Sequence, residues 1–107
     1  MLKEWSKNGV NQMTKSLLSK DPRCYICGKR QGLEVHHIFF GVANRRKSDK
    51  DGLVVYLCGD CHRGTTSGVH HNKDVDNRLK MIAQKIWMQH YNKTEEDFIA
   101  AYGKSYL

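Results

Sequence analysis

The stretch Leu33-Glu-Val-His-His-Ile-Phe-Phe40 decides the fold, because it sets two adjacent histidines, His36 and His37, inside an apolar, β-prone run. A second run, Gly52-Leu-Val-Val-Tyr-Leu57, has the same β-branched and aromatic character. We predict that both runs are strands and that residues 41–51 form a long polar connection between them. The two strands then pair as a β-hairpin.

The four cysteines flank this predicted hairpin as two Cys-x-x-Cys pairs, Cys24 with Cys27 and Cys58 with Cys61. Two such pairs are typical of a closed tetrahedral zinc site, and structural zinc would stabilise the small core of a 107-residue chain. Gly28 follows the first pair and is expected to permit the tight turn of a zinc knuckle. The alternative is a set of redox-active or disulfide-bonded thiols in an exported protein.

The N-terminus has no apolar h-region of an export signal, and no stretch approaches the length that spans a membrane. We therefore expect an intracellular, cytoplasmic protein with no membrane partner. Its formal net charge of +7 favours an acidic partner, with nucleic acid first, because basic side chains gain affinity by neutralising phosphates. A merely soluble cationic surface is the alternative. The candidate phosphate contacts are Arg45, Arg46, Lys47, Arg63 and Lys73.

The remaining segments complete a prediction of a small α+β fold with three parts. Residues 1–23 form a basic N-terminal segment in which Trp5 packs on the domain or stacks on a ligand, and residues 24–73 form the zinc-stapled core. Within that core, glycine and threonine predict a loop over residues 62–71. Residues 74–107 form the helical C-terminal part of the same domain, with apolar residues at three- and four-residue spacing up to Tyr91. A second helix there begins after the N-cap Thr94 and ends at Gly103.

The ordered set of Cys-x-x-Cys, Glu34-Val-His-His-Ile38, Leu57-Cys-x-x-Cys-His62 and a later histidine resembles the HNH endonuclease family, and is similar to its small phage-encoded members. The resemblance covers about residues 24–71. It implies a ββα-metal unit, with His36 binding the catalytic ion and His37 acting as general base. It further implies that His62 and His70 complete the metal ligands, with His71 as a near-equal alternative to His70.

The family pattern also has a middle asparagine, and the resemblance assigns it to Asn44, the only asparagine between His37 and Cys58. Asn44 comes early in the chain for this role, and Gly52 lies closer to the expected position. The implied activity is hydrolysis of DNA phosphodiesters with a histidine base and one divalent ion, which is Mg²⁺, Mn²⁺, Ni²⁺ or Zn²⁺.

The expected partner is DNA, contacted through its backbone with little sequence preference. Other DNA-processing proteins of a phage or its bacterial host are further candidate partners. The alternative function is a noncatalytic zinc module on the same scaffold, which binds nucleic acid or inhibits another protein. Such a module needs the structural zinc but not His37.

Overall fold

The computed structural model describes residues 16–65 and 68–107. The predicted basic N-terminal segment therefore lies outside the described residues as far as residue 15, and Trp5 with it. The described chain contains the elements β1 (Leu33–His37), α1 (Val42–Asp51), β2 (Val54–Cys58), α2 (Gly59–Arg63), a 3₁₀ turn (Val69–His71), α3 (Lys73–Tyr91) and α4 (Glu95–Tyr102). Its fold is small α+β, as predicted.

The predicted pairing of the two strands is confirmed. β1 and β2 run antiparallel, with Leu33 opposite Cys58 at one end and His37 opposite Val54 at the other. Every residue of β2 is buried, which agrees with its continuous apolar sequence. The register places the start of β1 beside Cys58, so both cysteine pairs meet at this end of the hairpin, while His37 lies at the opposite end.

The connection between the strands differs from the prediction, because residues 42–51 form the helix α1 instead of an irregular link. Sequence periodicity does not reveal this helix, since Ser48 is its one buried residue. The Ser48 hydroxyl accepts a hydrogen bond from the Phe39 amide at 3.3 Å and donates one to the Leu53 carbonyl at 2.5 Å. Hydrogen bonds of Ser48 therefore attach α1 to the hairpin, whereas most surface helices pack through an apolar stripe.

The C-terminal helices agree with the prediction. The Asn72 side chain caps α3 by accepting from the amides of Asp74 and Val75, and Thr94 and Asp97 form a reciprocal capping box at the start of α4. Gly103 ends α4 in a left-handed conformation, with φ of 99°. Within residues 16–65 and 68–107, no helix is both long and apolar enough to cross a membrane.

The core joins the hairpin to these helices through aromatic side chains. The ring of Phe39, just after β1, lies 5.3 Å from that of Phe98 and 4.9 Å from that of Tyr102. Side chains of α3 and α4 also hold Asp51, the last residue of α1. The Asp51 carboxylate accepts hydrogen bonds from the Trp87 indole at 2.9 Å and the Tyr102 hydroxyl at 2.8 Å. The Asp51 carbonyl accepts one from the Tyr91 hydroxyl at 3.0 Å. The C-terminal helices thus fix the end of α1.

Candidate metal centres and cleft

The four cysteines predicted to bind zinc lie together at the end of the hairpin where Leu33 pairs with Cys58. Their sulfur atoms are all within 4.8 Å of one another, and none is in a disulfide. Zinc bound tetrahedrally by sulfur at about 2.3 Å sets two sulfurs about 3.8 Å apart, and the Sγ atoms of Cys27 and Cys58 are 3.7 Å apart. The arrangement is consistent with structural zinc.

The backbone around the first pair forms the expected knuckle. Gly28 adopts the left-handed conformation, with φ of 84°, and its amide donates to the Cys24 carbonyl at 2.9 Å. The knuckle is attached to the hairpin because the Tyr25 amide donates to the Tyr56 carbonyl at 2.8 Å. This contact fixes the first cysteine pair against β2, whose last residue is Cys58.

The pKa values of two thiols in this cluster, those of Cys24 and Cys61, shift in opposite directions. Burial raises the pKa of Cys24, but hydrogen bonds from the backbone N–H groups of Cys27 and Cys58 outweigh it and lower this pKa to about 6. Burial and contacts with the neighbouring sulfurs raise the pKa of Cys61 well above its usual value. The Cys24 thiolate therefore forms easily while burial and the neighbouring sulfurs oppose ionisation of Cys61, and a divalent cation favours the charged form of both.

A second cluster is formed by three of the predicted metal-binding histidines, His36, His62 and His70. One ring nitrogen from each lies within 4.8 Å of the others. The Nε2 atoms of His62 and His70 are 3.1 Å apart, close to the spacing of about 3.3 Å for two imidazoles on one tetrahedral zinc. His36 is 2% exposed, and its Nε2 atom is buried with no hydrogen-bond partner among the described residues. A buried ring nitrogen without a partner fits a metal ligand, since its unprotonated form can bind an ion.

Two short elements after the hairpin bring His62 and His70 together. The residues predicted as a loop begin inside α2, which carries Cys61 to the sulfur cluster and His62 to His36. Gly68 lies so close to Gly64 that a Cβ at Gly68 would collide with the backbone of Gly64. The 3₁₀ turn that follows places His70 in the cluster, whereas His71 is exposed and does not belong to it.

Glu34 fixes the orientation of His62. Its Oε1 atom lies 2.7 Å from His62 Nδ1, and a carboxylate only accepts hydrogen bonds, so the neutral ring carries its proton on Nδ1. The lone pair of His62 is then on Nε2, which faces His70. Arg63 holds the same carboxylate through two hydrogen bonds, of 2.9 Å and 2.5 Å, and lowers the pKa of Glu34 to about 2.

The surroundings of His36 and His70 favour the neutral form of these two imidazoles. Burial is the main reason that the pKa of His36 falls to about 3, and the neighbouring rings of His62 and His70 lower it further. Burial and His62 also lower the pKa of His70. Neutral imidazole is the form that binds a divalent transition metal, so the three residues suit Zn²⁺, Ni²⁺ or Mn²⁺.

His37, the predicted general base, lies beside this cluster in an open cleft of about 220 Å³. The described residues that line the cleft are Val35, His36, His37, Phe40, Arg45, His62 and His70. His37 Nε2 is 3.0 Å from Asp49 Oδ1 on α1. Because the carboxylate accepts the Nε2 proton, the lone pair of neutral His37 is on Nδ1.

Asn44, the other predicted catalytic residue, does not join the cleft. Its side-chain amide donates to the Tyr102 carbonyl at 3.3 Å, so it joins α1 to α4. The helical conformation of residues 42–51 explains the difference, because the residue of this segment that reaches His37 is Asp49, at 3.0 Å. Asn44 is thus placed for a structural role.

The five basic residues predicted to contact phosphates are not equivalent. Arg45 lines the cleft, whereas Arg63 is paired with Glu34 and the Lys47 ammonium donates to the Ala101 carbonyl. Arg46 and Lys73 are exposed, on α1 and at the start of α3. Of the five, Arg45 is therefore the best placed beside the histidines.

Three residues at the cleft were missed by sequence reasoning: Glu34, Asp49 and Phe40. Glu34 had a detectable signal, since it lies two residues before His36 and points to the same face of a strand. The sequence gives no signal for Asp49, because Asp49 approaches His37 only through the helix α1, and α1 has no apolar stripe that would predict it. Phe40 was read as part of β1, yet β1 ends at His37 and Phe40 is 47% exposed.

Comparisons of the chain with family models, with curated proteins and with solved structures gave no match.

Proposed function

We propose that this protein is a metal-dependent DNA endonuclease of the HNH type, which hydrolyses phosphodiester bonds. The observation that carries the proposal is the presence of His37 in the same open cleft as His36, His62 and His70. Three neutral imidazoles supply a metal site with room for a further ligand, and a fourth imidazole with a free lone pair supplies a base. The net charge of +7 favours a polyanionic substrate.

In the proposed mechanism His36, His62 and His70 hold one divalent ion. When bound, such an ion stabilises negative charge on a phosphate oxygen as a Lewis acid. His37 Nδ1 removes a proton from a water molecule as the water oxygen forms a bond to phosphorus. The phosphorus–oxygen bond to the leaving nucleotide breaks, and the departing alkoxide takes a proton from solvent.

Two carboxylates position the residues of this mechanism. Asp49 holds the His37 ring with Nε2 protonated, so that Nδ1 is unprotonated in the neutral ring. Glu34 selects the other tautomer at His62, in which Nδ1 is protonated and Nε2 is available to the ion. Arg45, which lines the cleft, is placed to contact a phosphate beside the scissile one.

The test is incubation of supercoiled plasmid with the purified protein, with and without Mg²⁺, Mn²⁺, Ni²⁺ or Zn²⁺. We expect nicked and linear DNA in at least one metal and none with a chelator. His37→Ala should lower the rate by ~10²- to 10⁴-fold at saturating metal, the usual contribution of a positioned general base. His71→Ala is the matched control, because His71 lies outside the cluster and should leave the rate unchanged.

The noncatalytic zinc module is the alternative that this experiment separates. It predicts no nicking of plasmid or branched DNA in any of the four metals, together with retained zinc and a retained fold. Equal rates for wild type and His37→Ala would instead remove His37 from the mechanism.

A further inference from the structure

An exposed apolar edge borders the cleft where β1 leads into α1. Phe40 lines the cleft and is 47% exposed, and Val42, the first residue of α1, is 92% exposed. Arg45 lies one helical turn after Val42 on the same side of α1 and also lines the cleft. Two exposed apolar side chains thus stand beside a cation and the three-histidine cluster.

The Phe40 ring is held by its surroundings, although nearly half of it is in solvent. The Lys80 ammonium lies 4.6 Å from the ring centroid, and the His70 ring lies 5.8 Å away in an edge-on arrangement. Lys80 is itself fixed by an ion pair of 2.9 Å with Asp76 on the same helix. An aromatic ring supported in this way loses little conformational entropy when a ligand covers it.

From this juxtaposition we infer that Phe40 and Val42 contact an unstacked nucleobase beside the phosphate that enters the cleft. The inference rests on the proposed function and narrows its substrate to DNA with unpaired bases at the cleavage position, such as a bubble, branch or single strand. Arg45 supplies charge for an adjoining phosphate, and Phe40, held by Lys80, supplies the apolar face on which a base can stack. In a regular duplex the bases are stacked on one another, so Phe40 has no base to contact without unstacking one.

The experiment measures binding of fluorescein-labelled oligonucleotides of one sequence as a perfect duplex, a duplex with a central bubble, and a single strand. The protein carries one zinc per chain, enough for the cysteine cluster alone, in a divalent-free buffer, and gel analysis of the oligonucleotides establishes that binding is read without cleavage. We expect wild type to bind the bubble and the single strand ~10-fold more tightly than the duplex, in the range that base–aromatic stacking supplies. Phe40→Ala should abolish this preference, so that the three oligonucleotides bind with similar affinity.

Phe40→Trp and Phe40→Leu distinguish stacking from simple packing. The tryptophan variant should keep the preference, and the leucine variant, which retains apolar contact with Lys80, should lose most of it. Ile99→Ala is the control, because Ile99 is 41% exposed on α4 and should leave every affinity unchanged. Zinc content and circular dichroism establish that each variant is folded.

A Phe40→Ala protein with the wild-type ratio of bubble to duplex affinity overturns the inference, as does wild type with no preference at all. Plasmid nicking by the same wild-type preparation then tests the proposed nuclease activity separately from the base contact. Conversely, a preference that depends on Phe40 in a protein that nicks no DNA supports the base contact and overturns the nuclease.

Discussion

The Glu34 carboxylate on β1 accepts a hydrogen bond of 2.7 Å from the Nδ1–H group of His62 on α2. This contact joins the strand that carries His36 to the helix that carries Cys61 of the sulfur cluster. It also turns the lone pair of His62 toward His70, at an Nε2–Nε2 distance of 3.1 Å. Glu34 is therefore the residue that preorganises the three-histidine cluster.

We expect Glu34→Ala to weaken binding of a divalent ion at the histidine cluster by ~10- to 100-fold, the usual effect of removing a carboxylate that orients a ligating histidine. Titration of the zinc-loaded protein with Co²⁺, followed by its visible absorption, measures this affinity. Glu96→Ala is the control, since Glu96 is exposed in the first turn of α4. Equal Co²⁺ affinities for wild type and Glu34→Ala would contradict the assigned role.

The cysteine cluster should hold one tightly bound zinc per chain. Cys58→Ser should abolish stoichiometric binding and cost several kcal/mol of stability, because structural zinc contributes ~10 kcal/mol or more to folding. Elemental analysis and chemical unfolding measure the two effects, and removal of zinc by a strong chelator should have the same effect as the substitution. Ile26→Ala is the control, because Ile26 lies between two of the ligands but is 44% exposed. A folded, reduced sample without zinc would refute the structural zinc site.

Substitution of Asp49 should lower cleavage without removing metal. Asp49→Ala frees the His37 ring to adopt the other tautomer and other orientations, whereas Asp49→Asn keeps an oxygen that accepts the Nε2 proton. We therefore expect the cleavage rate to be highest for wild type, lower for Asp49→Asn and lowest for Asp49→Ala, with the same Co²⁺ affinity in all three. Asp60→Asn, at an exposed aspartate outside the cleft, should have no effect. The ¹⁵N shifts of the His37 ring report the tautomer directly, and a wild-type tautomer in Asp49→Ala would exclude the positioning role.

Stability should fall as the pH is lowered from about 6.5 to 2. The pKa of His36 is about 3 in the folded chain and 6.5 when unperturbed, so below pH 6.5 the unfolded chain binds a proton that the folded chain excludes. The pKa of Glu34 is likewise lowered from 4.5 to about 2, and its stabilising contribution is present above pH 4.5 and lost below it. Both groups destabilise the folded state in acid.

Urea unfolding at several pH values, followed by Trp87 fluorescence, measures this dependence. His36→Gln removes the first of the two groups and should flatten the loss of stability between pH 6.5 and 4.5, where Glu34 contributes little. Acid release of zinc from the cysteines is common to both proteins and cancels in the comparison. Identical pH profiles for wild type and His36→Gln would show that His36 gains a proton freely in the folded chain.

The hairpin, α3 and α4 were predictable because each has a local signal. β1 and β2 are short β-branched runs, α3 has an apolar stripe, and the Thr94–Asp97 capping box lies within four residues of sequence. α1 has no such signal, because Ser48 is its one buried residue and its contacts with the rest of the protein are polar. The alternation of side chains along a strand predicted opposite faces for His36 and His37, but both line one cleft because β1 ends at His37.

The grouping of His36, His62 and His70 was predicted through a resemblance of sequence motifs, while the choice between His70 and His71 did not follow from sequence. It depends on the close approach of Gly68 to Gly64 and on the 3₁₀ turn after it. The contact of Asp49 with His37 depends on the length and direction of α1, which no short-range pattern encodes.

Asp51 is held by Trp87, Tyr91 and Tyr102. These contacts determine the minimum segment of the chain that would keep the geometry of the cleft in another protein scaffold. Asp51 ends α1 two residues after Asp49, so the aromatic side chains that hold α1 in place also hold the partner of His37. A graft that copies only the two strands, the cysteines and the histidines into another scaffold would carry the proposed metal ligands but leave His37, the proposed base, without Asp49. The transferable unit extends from the first cysteine pair through the end of α4.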